Sequence, residues 1–402
     1  MIDHLKLHIP VDDSLVSSVD GKYCITDFDL FDLDLNIGSR SVYRNEDGEI
    51  KNSALYCPYE SLPTSFTTMA MKFRFESAFT HPYVELKASP AKILQGHNVF
   101  GSDDIASGAF EMLAYLQEAF PSLYGILAIQ STEVMHIDVT YSSRLKDNEQ
   151  VVQVIDYLRK VSANQTRTGV KQYDSTVTWG SENTRLVKHK AYAKYLEFIH
   201  QLKEYQKRAP FDDSAKRVVS VMSDPRLQDW ASGLLRFESR LMKRWLQRRD
   251  IPTNLFALVE YQRTHPDFVR DSWISATKDI FSSLEGQTMK MTDDDSVYAA
   301  LQKHFYSVTK TGRISYAKAN TLFHAYCAIR EHGLDVLKSR YSDRRCQQFL
   351  KDLKQIGLSR AFLQNLHSRD RNNIVPLLRF INVDFNNQLP DWYQTPVSKF
   401  AA

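Results

Sequence analysis

The fold of the chain is decided by one alternating stretch, Glu133-Val134-Met135-His136-Ile137-Asp138-Val139-Thr140-Tyr141. Apolar residues at every second position predict a strand with one face in a core, because strand side chains alternate between faces. The other face then carries His136 and Asp138. An imidazole and a carboxylate about 7 Å apart along a strand can flank one divalent cation. Glu85, on a second alternating segment, is a possible further ligand, and a polar surface without a metal explains these residues as well.

Around this strand, the first 250 residues read as a mixture of strands and helices. Alternation or β-forming residues predict strands at 71–76, 83–87 and 176–179, and helical spacing predicts helices at 103–117 and 148–161. From about residue 250 nearly every segment has a helical pattern. We therefore predict an α+β or α/β domain over residues 1–250 and a mainly α-helical region over residues 251–402.

Composition excludes several classes of protein. The chain has 402 residues, of which 43% are hydrophobic and 25% charged, so a largely disordered protein is excluded. The four cysteines form no Cys-x-x-Cys pair, which removes support for a zinc ribbon and favours reduced thiols. No run of apolar residues approaches the roughly 18 that a membrane helix needs. These features predict a soluble intracellular protein without a membrane partner.

Charge is unevenly distributed along the chain. Residues 1–60 contain 12 acidic and 5 basic residues, whereas residues 181–250 contain 16 basic and 9 acidic ones. This asymmetry points to a localised anionic partner, with nucleic acid as the first candidate. A solvated basic helix face explains the second segment equally well.

Two tyrosines lie among lysines in the basic segment. Tyr192 and Tyr195 would share a face if this segment were helical, surrounded by Lys188, Lys190 and Lys194. A tyrosine hydroxyl is a poor nucleophile because its pKa is about 10, but a divalent metal and lysines stabilise phenolate and neutralise a phosphate. The arrangement suits attack on a phosphodiester. The alternative is an amphipathic helix that buries its tyrosines beneath lysine side chains.

A third segment combines arginines with an acid. Arg236 and Arg240 share a face in either a helix or a strand, whereas Glu238 joins them only in a strand. In the strand case the three side chains suit contact with a metal and a phosphate; the alternative is an internally paired basic helix. We predict DNA contacts from the basic residues of this region: Arg185, Lys188, Lys190, Lys194, Arg236, Arg240, Lys243 and Arg244.

Other catalytic motifs are missing from the sequence. The chain has no Gly-x-Gly-x-x-Gly, no Walker phosphate loop, no Gly-x-Ser-x-Gly and no His-Glu-x-x-His. An ATP-dependent helicase or ligase is therefore disfavoured, and no nucleotide cofactor is expected.

Several long strings resemble the replication initiator (gene II) proteins of filamentous bacteriophages. The strings are Glu60-Ser61-Leu62-Pro63-Thr64, Val84-Glu85-Leu86-Lys87-Ala88-Ser89-Pro90, Gln95-Gly96-His97-Asn98-Val99-Phe100-Gly101, Ala231-Ser232-Gly233-Leu234-Leu235-Arg236-Phe237-Glu238 and Arg379-Phe380-Ile381-Asn382-Val383-Asp384-Phe385. They are spread over nearly the whole chain. The resemblance implies an α+β protein with an N-terminal antiparallel-sheet nicking domain of a degenerate HUH type and a helical C-terminal region.

The same resemblance implies a rolling-circle initiator. Such a protein nicks one strand of the double-stranded phage origin through a 5′-phosphotyrosine, while the host polymerase and helicase extend the 3′ end and unwind the duplex. It then rejoins the displaced single strand into a circle. The phosphotyrosine keeps the energy of the cleaved bond, so no nucleotide is needed. Work in the host bacterial cytoplasm and self-association on DNA are also implied.

Residue roles follow from the resemblance. Tyr192 matches the tyrosine that forms the covalent DNA link, with Tyr195 as the runner-up. The His136–Asp138 strand resembles the HUH strand that holds Mg²⁺ or Mn²⁺, and Glu85 and Glu238 are expected to complete the ligand set. The family also implies a shorter product from an internal start at Met289 or Met291. The alternative function is a non-catalytic regulator that binds the origin or single strands.

Overall fold

The computed structural model describes most of the chain. The described residues are 1–26, 28, 30–33, 35–36, 38–44, 50–162, 175–181, 183–285, 294–309, 312–356, 358, 360–366 and 383–400. Met289 and Met291, the predicted internal starts, lie outside them. No helix in these ranges combines the length and the apolar character that crossing a membrane requires.

Short strands dominate the first half of the chain. The strands are β1 (Ile2–Pro10), β2 (Val16–Val19), β3 (Lys22–Ile25), β4 (Gly38–Arg44), β5 (Ile50–Tyr56), β6 (Glu60–Pro63), β7 (Thr68–Arg74), β8 (Glu76–Ser77), β9 (Tyr83–Ala88), β10 (Glu133–Arg144), β11 (Thr176–Trp179), β12 (Val187–Ala193), β13 (Leu234–Met242), β14 (Ser307–Val308) and β15 (Ile314–Ser315).

Helices connect these strands and fill the second half. They are α1 (Pro90–Gln95), α2 (Ile105–Ala119), α3 (Pro121–Gly125), α4 (Asn148–Ser162), α5 (Lys194–Arg208), α6 (Asp213–Met222), α7 (Pro225–Ala231), α8 (Lys243–Gln247), α9 (Leu255–Thr264), α10 (Phe268–Glu285), α11 (Asp294–His304), α12 (Ala317–His332), α13 (Asp335–Arg340), α14 (Asp343–Gln355) and α15 (Arg360–Asn365). Within the described residues, 3₁₀ turns lie at Asp13–Leu15, Leu30–Leu33 and Ile129–Ser131.

The main sheet is antiparallel, and eight of its strands lie in the part of the chain that the structure describes. Their order is β11-β12-β13-β10-β1-β9-β7-β6, which places β10 next to β1 in the interior of the sheet. The predicted strand at 133–141 is thus the centre of the fold. The α+β prediction, with an antiparallel sheet before a helical region, is confirmed, whereas the HUH relationship stays a prediction.

One face of this sheet forms a core. Leu5 and Leu7 of β1, Ile137 and Val139 of β10 and Leu241 of β13 are all essentially inaccessible to solvent. Each strand alternates apolar residues toward this face, as a strand period of two requires. On the same side, the indole of Trp273 in α10 meets the ring of Tyr141 edge-on at 5.3 Å.

The segment around Tyr192 differs from the helical reading considered above. Residues 187–193 form β12, which pairs with β11 on one side and β13 on the other, and helix α5 begins only at Lys194. Tyr192 and Tyr195 therefore lie on different elements. Pairing along both edges of the strand outweighs the helical spacing of the two tyrosines.

The chain divides into two compact units. The first comprises residues 1–151, 169–276 and 383–402, and the second comprises residues 152–168 and 277–382. The second unit has its own core, to which α11, α12 and α14 contribute Leu301, Leu322 and Phe349. The predicted domain boundary near residue 250 stays a prediction.

The last described segment packs within the first unit. The ring of Phe385 contacts those of Tyr141 and Trp273, with centroids 5.0 and 5.8 Å apart. The side-chain amide of Gln388 bonds to both the N–H and the carbonyl of Ser142 in β10. Residues 383–400 are thus part of the structure that supports the sheet.

Candidate metal and DNA site

The second face of the sheet is polar across six neighbouring strands. The strand register places these residues on that face: Lys188, Lys190 and Tyr192 (β12), Arg236, Glu238 and Arg240 (β13), His136, Asp138 and Thr140 (β10), His4, Lys6 and His8 (β1), Glu85 and Lys87 (β9), and Lys72 (β7). The alternation that buries apolar residues on one side collects charged residues on the other. Every strand-borne residue predicted for the site lies here.

Three of these side chains converge on one point. Potential ligand atoms of His4, His136 and Asp138 all lie within 4.8 Å of one another, and among the described residues this is the group close enough to hold one cation. The two imidazole rings are stacked, with His4 Nδ1 3.2 Å from His136 Nε2, and His136 Nε2 is 4.0 Å from Asp138 Oδ1. The structure therefore brings His136 and Asp138 together, as predicted, and adds His4.

The donor chemistry of this group fits a divalent cation. Burial lowers the pKa of His136 to about 2 and also lowers the pKa of His4, so both rings are neutral at physiological pH and keep a nitrogen lone pair. Two imidazoles and one carboxylate form a mixed ligand set. Mg²⁺ takes oxygen ligands, so the nitrogens favour Mn²⁺ or another transition metal over Mg²⁺.

Arg240 holds the carboxylate of Asp138. Its Nε and Nη2 donate to Oδ1 and Oδ2 at 2.7 and 2.6 Å, a bidentate pair across β10 and β13. Asp138 is 1% exposed, whereas the Arg240 side chain keeps 38% of its surface exposed. A cation bound by Asp138 would therefore compete with a guanidinium that has room to move outward.

The structure places Glu85 in a different cluster. Lys6 and Lys87 each approach the buried Glu85 carboxylate to 2.7 Å, and His8 and the Tyr59 hydroxyl complete the shell. These partners hold the pKa of Glu85 far below its ordinary value despite burial. Its oxygens are thus occupied by cations of the protein itself, and Glu85 does not join the His4–His136–Asp138 group.

Glu238 also lies outside that group. Burial raises the pKa of its carboxyl to about 7, while Lys190, whose Nζ is 3.8 Å from Oε2, opposes the shift. A carboxyl with a pKa near 7 can exchange a proton at neutral pH, which suits a general acid or base better than a metal ligand. The strand reading, which placed Glu238 between Arg236 and Arg240 on one face, holds.

Tyr192 is enclosed. It is 3% exposed, the Lys190 Nζ lies 4.2 Å from its ring centroid, and burial raises the pKa of its hydroxyl well above 10. Asp138 lies two strands away and four residues along the register, so the two Cα atoms are roughly 16 Å apart. Tyr195, on α5, is half-buried and packs against the cluster that includes Phe100 and Phe198. Neither tyrosine is placed beside Asp138.

A buried polar network underlies this end of the face. The Lys194 ammonium, which is fully buried, donates to Asn98 at 2.7 Å and to Glu197 at 2.5 Å, and Asn98 donates to Asp3. The equally buried Arg236 donates to the backbone carbonyls of Asn98 and Val99. Both basic side chains therefore organise the interior in this conformation and are not available to DNA.

The remaining predicted DNA contacts are accessible. Arg185 and Arg244 are exposed, and Lys188, Lys190 and Lys243 are half-buried. Lys243 also pairs with Glu133 at 3.1 Å. Arg240 pairs in register with Asp138, and Lys188 pairs with Arg240 on the next strand. The role of these basic residues as DNA contacts stays a prediction.

Comparison with known proteins identifies the family. A family model for the N-terminal part of the phage "Replication-associated protein" of gene II matches residues 1–264, and a second model, for the C-terminal part of the same protein, matches residues 308–399. The chain belongs to this gene II replication protein family. The Replication-associated protein of Enterobacteria phage fd is 38% identical, with all of both chains covered, and that of Salmonella phage IKe is 39% identical, with 100% of this chain and 97% of the relative covered. No solved structure matches the chain.

Membership of the gene II family confirms the resemblance but not the individual roles of residues. His4 was missed from the sequence, although residues 4–9 alternate strictly, with His4, Lys6 and His8 at the polar positions. That alternation is the sequence feature from which His4 could have been predicted as a site residue. Nothing in the sequence indicated that β1 would lie beside β10, which is what brings His4 to Asp138.

Proposed function

We propose that this chain is a phage rolling-circle replication initiator that nicks one strand of the double-stranded origin and later rejoins the displaced strand. The observation that carries the proposal is the His4–His136–Asp138 group on a polar sheet face bordered by basic side chains. Neutral imidazoles and a carboxylate have little reason to converge in a structure that only binds phosphates. The names of the gene II relatives, which associate them with replication, support the same function.

His4, His136 and Asp138 would hold Mg²⁺ or, better suited to their nitrogens, Mn²⁺. Bound there, the cation would neutralise a phosphate and make its phosphorus more electrophilic. The protein contributes the positioning. Arg240, once its pair with Asp138 opens, can donate from Nε and Nη2 to a phosphate, and Lys188 and Lys190 on the adjacent strand add positive charge.

Tyr192 is the proposed nucleophile. Its phenolic oxygen forms a bond to phosphorus, the bond between phosphorus and the sugar O3′ breaks, and O3′ takes up a proton from water. Glu238 accepts the phenolic proton. It lies on β13, two residues from Arg236, the residue that pairs with Tyr192, and its carboxyl can exchange a proton near pH 7. The reverse reaction restores the phosphodiester without a nucleotide. Because Tyr192 is buried and its Cα lies roughly 16 Å from that of Asp138, the segment where β12 meets α5 must open and bring the hydroxyl toward the His4–His136–Asp138 group before it reaches the activated phosphate.

A non-catalytic binding protein is the second candidate. The enclosure of Tyr192 favours it, since a side chain with 3% of its surface exposed cannot attack an external phosphate in this conformation. This candidate predicts salt-sensitive DNA binding without strand cleavage. It gives no reason for the convergence of His4, His136 and Asp138.

Covalent capture of DNA on the protein distinguishes the nicking enzyme from the non-catalytic binding protein. Purified protein is incubated with supercoiled origin DNA and Mn²⁺ or Mg²⁺, denatured, and tested for a protein–DNA adduct whose peptide is then mapped. We expect an adduct with the intact chain, none with Tyr192→Phe, and normal adduct with the matched control Tyr195→Phe. An adduct on Tyr192→Phe would transfer the role to Tyr195 or another residue. Origin binding without nicking by the intact chain would establish the binding-only alternative.

The proposal also includes partners and location. The substrates are double-stranded phage origin DNA and the displaced single strand, and the host polymerase and helicase would use the 3′ end that the nick creates. More than one copy of the chain would assemble at the origin. The site of action would be the host bacterial cytoplasm.

A further inference from the structure

An exposed tyrosine stands at the far end of the polar face. Tyr59, directly before β6, keeps 49% of its surface exposed. Two ammonium groups lie over its ring, with the Nζ of Lys87 4.2 Å and that of Lys72 5.0 Å from the ring centroid, so a stacking base would take the place of one of these flexible side chains. Exposed aromatic rings beside lysines are the elements with which proteins hold single-stranded nucleic acid.

The tyrosine is fixed in place by the buried Glu85. The Tyr59 hydroxyl donates to Glu85 Oε1 at 2.5 Å, and Lys87 contacts both the hydroxyl and the same carboxylate. Lys6 binds the other carboxylate oxygen. One buried anion therefore orients a ring and two ammonium groups in advance, which reduces the entropy cost of binding a ligand.

This group has a net positive charge. Lys6, Lys72 and Lys87 outnumber the single carboxylate of Glu85, and we name these four residues with Tyr59 the Tyr59 platform. Lys6 pairs in register with His136 on one side and with Lys87 on the other. The platform therefore adjoins the His4–His136–Asp138 group on the same face, one strand away.

We propose that the Tyr59 platform binds single-stranded DNA, with a base stacked on Tyr59 and the adjacent phosphates on Lys87 and Lys6. The assignment of this DNA to the strand being nicked or displaced rests on the proposed function. Duplex DNA fits less well, because its bases are already stacked and cannot cover a protein ring. In this proposal the role of Glu85 is to orient the residues of the platform, and Glu85 is not a metal ligand.

Binding of a labelled oligothymidylate of about 20 nucleotides tests the platform, since thymidylate forms little structure and needs no origin sequence. Fluorescence anisotropy is measured with the full chain in EDTA, so that cleavage cannot contribute. We expect Tyr59→Ala to weaken binding by about fivefold to a hundredfold, because one stacked base is lost. Tyr59→Phe, which keeps the ring, should retain most of the affinity.

Two controls make the result specific. Tyr23→Ala removes a tyrosine of similar exposure, 44%, in the separate β2-β3-β8 sheet and should leave affinity unchanged. Lys87→Gln should lower the slope of log affinity against log salt by about 0.7, the value for one phosphate contact with a single strand. Tyr59→Ala should leave that slope unchanged. Circular dichroism and thermal melting verify that each variant is folded.

The outcomes are distinguishable from those of the adduct experiment. Equal affinity of Tyr59→Ala and the intact chain for the oligonucleotide would overturn the platform, whether or not the adduct forms. An equal loss on duplex of the same length, or with Tyr23→Ala, would also overturn it. A loss confined to Tyr59→Ala on single strands supports the platform even if the intact chain forms no adduct and the proposed nicking fails.

Discussion

At the scale of single residues, the most informative feature is the pair of Asp138 with Arg240, which a cation at the proposed metal site would have to displace. The guanidinium neutralises Asp138 when no cation does so. We expect the intact chain to bind Mn²⁺ and Asp138→Asn to lose this binding, because the charged ligand is gone. Arg240→Gln should bind Mn²⁺ roughly tenfold more tightly, since a competing charge-assisted pair is removed. Titration calorimetry or the paramagnetic resonance of free Mn²⁺ measures both.

Glu85→Gln is the matched control for this prediction. Glu85 lies in a separate cluster, so its substitution should leave Mn²⁺ affinity unchanged. A loss of Mn²⁺ binding in Glu85→Gln, together with normal binding in Asp138→Asn, would return Glu85 to the ligand set and contradict the assignment.

Buried histidines should make stability depend on pH. Burial lowers the pKa of His97 to about 3, so the folded chain keeps this ring neutral while the unfolded chain protonates it below about 6.5. The unfolded state then binds more protons, and stability falls as pH decreases from 6.5 toward 3. At pH 5, His97 alone should cost about 2 kcal/mol relative to pH 7.5.

Urea denaturation at pH 7.5 and pH 5 measures this effect. His97→Gln, which keeps a polar group beside Val99 and removes the titration, should lose less stability on acidification than the intact chain. The same loss in both chains would mean that His97 is protonated in the folded state or that other groups dominate.

At the scale of elements, a glycine lies where the end of β10 meets the start of β13. Gly233 has a φ of +70°, and a Cβ there would lie 2.6 Å from the carbonyl oxygen of Leu145. Its own carbonyl accepts from the N–H of Leu145, and its N–H donates to the side chain of Asn148. A methyl group would therefore meet rigid backbone just where β13 enters the sheet.

We expect Gly233→Ala to lower the free energy of unfolding by about 1–3 kcal/mol or more, from the clash together with the left-handed backbone. Gly21→Ala is the control: its φ is +75°, but nothing lies within 4 Å of the added carbon, so only the backbone penalty applies. Thermal melting compares the two. Equal losses would show that the contact with Leu145 relaxes without cost.

The elements also show what the sequence could and could not predict. Alternation identified β10 and the residues around Lys72 and Glu85, because each of these strands buries one face. It could not establish that β1 lies between β10 and β9, since pairing partners depend on contacts distant in sequence. For this reason His4 was missed and Glu85 was assigned to the metal. Lys194 and Arg236 were predicted as DNA contacts because both residues are basic. The sequence does not show that a basic side chain is buried in a hydrogen-bond network, as both of these are around Asn98.

At the scale of the whole molecule, residues 383–400 support the first unit. Phe385 covers Tyr141 and Trp273, Tyr393 packs near Phe100, and Phe400 meets Tyr115 edge-on. A chain that ends at residue 382 should melt at a lower temperature and lose a few kcal/mol of stability, because each of these partly covered aromatic rings contributes a fraction of the about 1.5–3 kcal/mol of a fully buried one.

Phe385→Ala should reproduce part of this loss, about 1–2 kcal/mol, because the ring is only partly buried. Val397→Ala is the control, because Val397 is 83% exposed and its methyl groups bury little surface. Differential scanning calorimetry measures all three variants. An unchanged melting temperature in the chain ending at residue 382 would show that the segment is only peripheral.

The position of this segment has a consequence for biosynthesis. The ribosome makes residues 383–400 after every other part of the first unit that the structure describes, so β10 and the aromatic rings behind it lack their last cover while that segment is still in the exit tunnel. A late premature stop codon would therefore yield a polypeptide that carries His4, His136 and Asp138 and yet leaves Tyr141 and Trp273 open to water, which makes it a target for proteolysis.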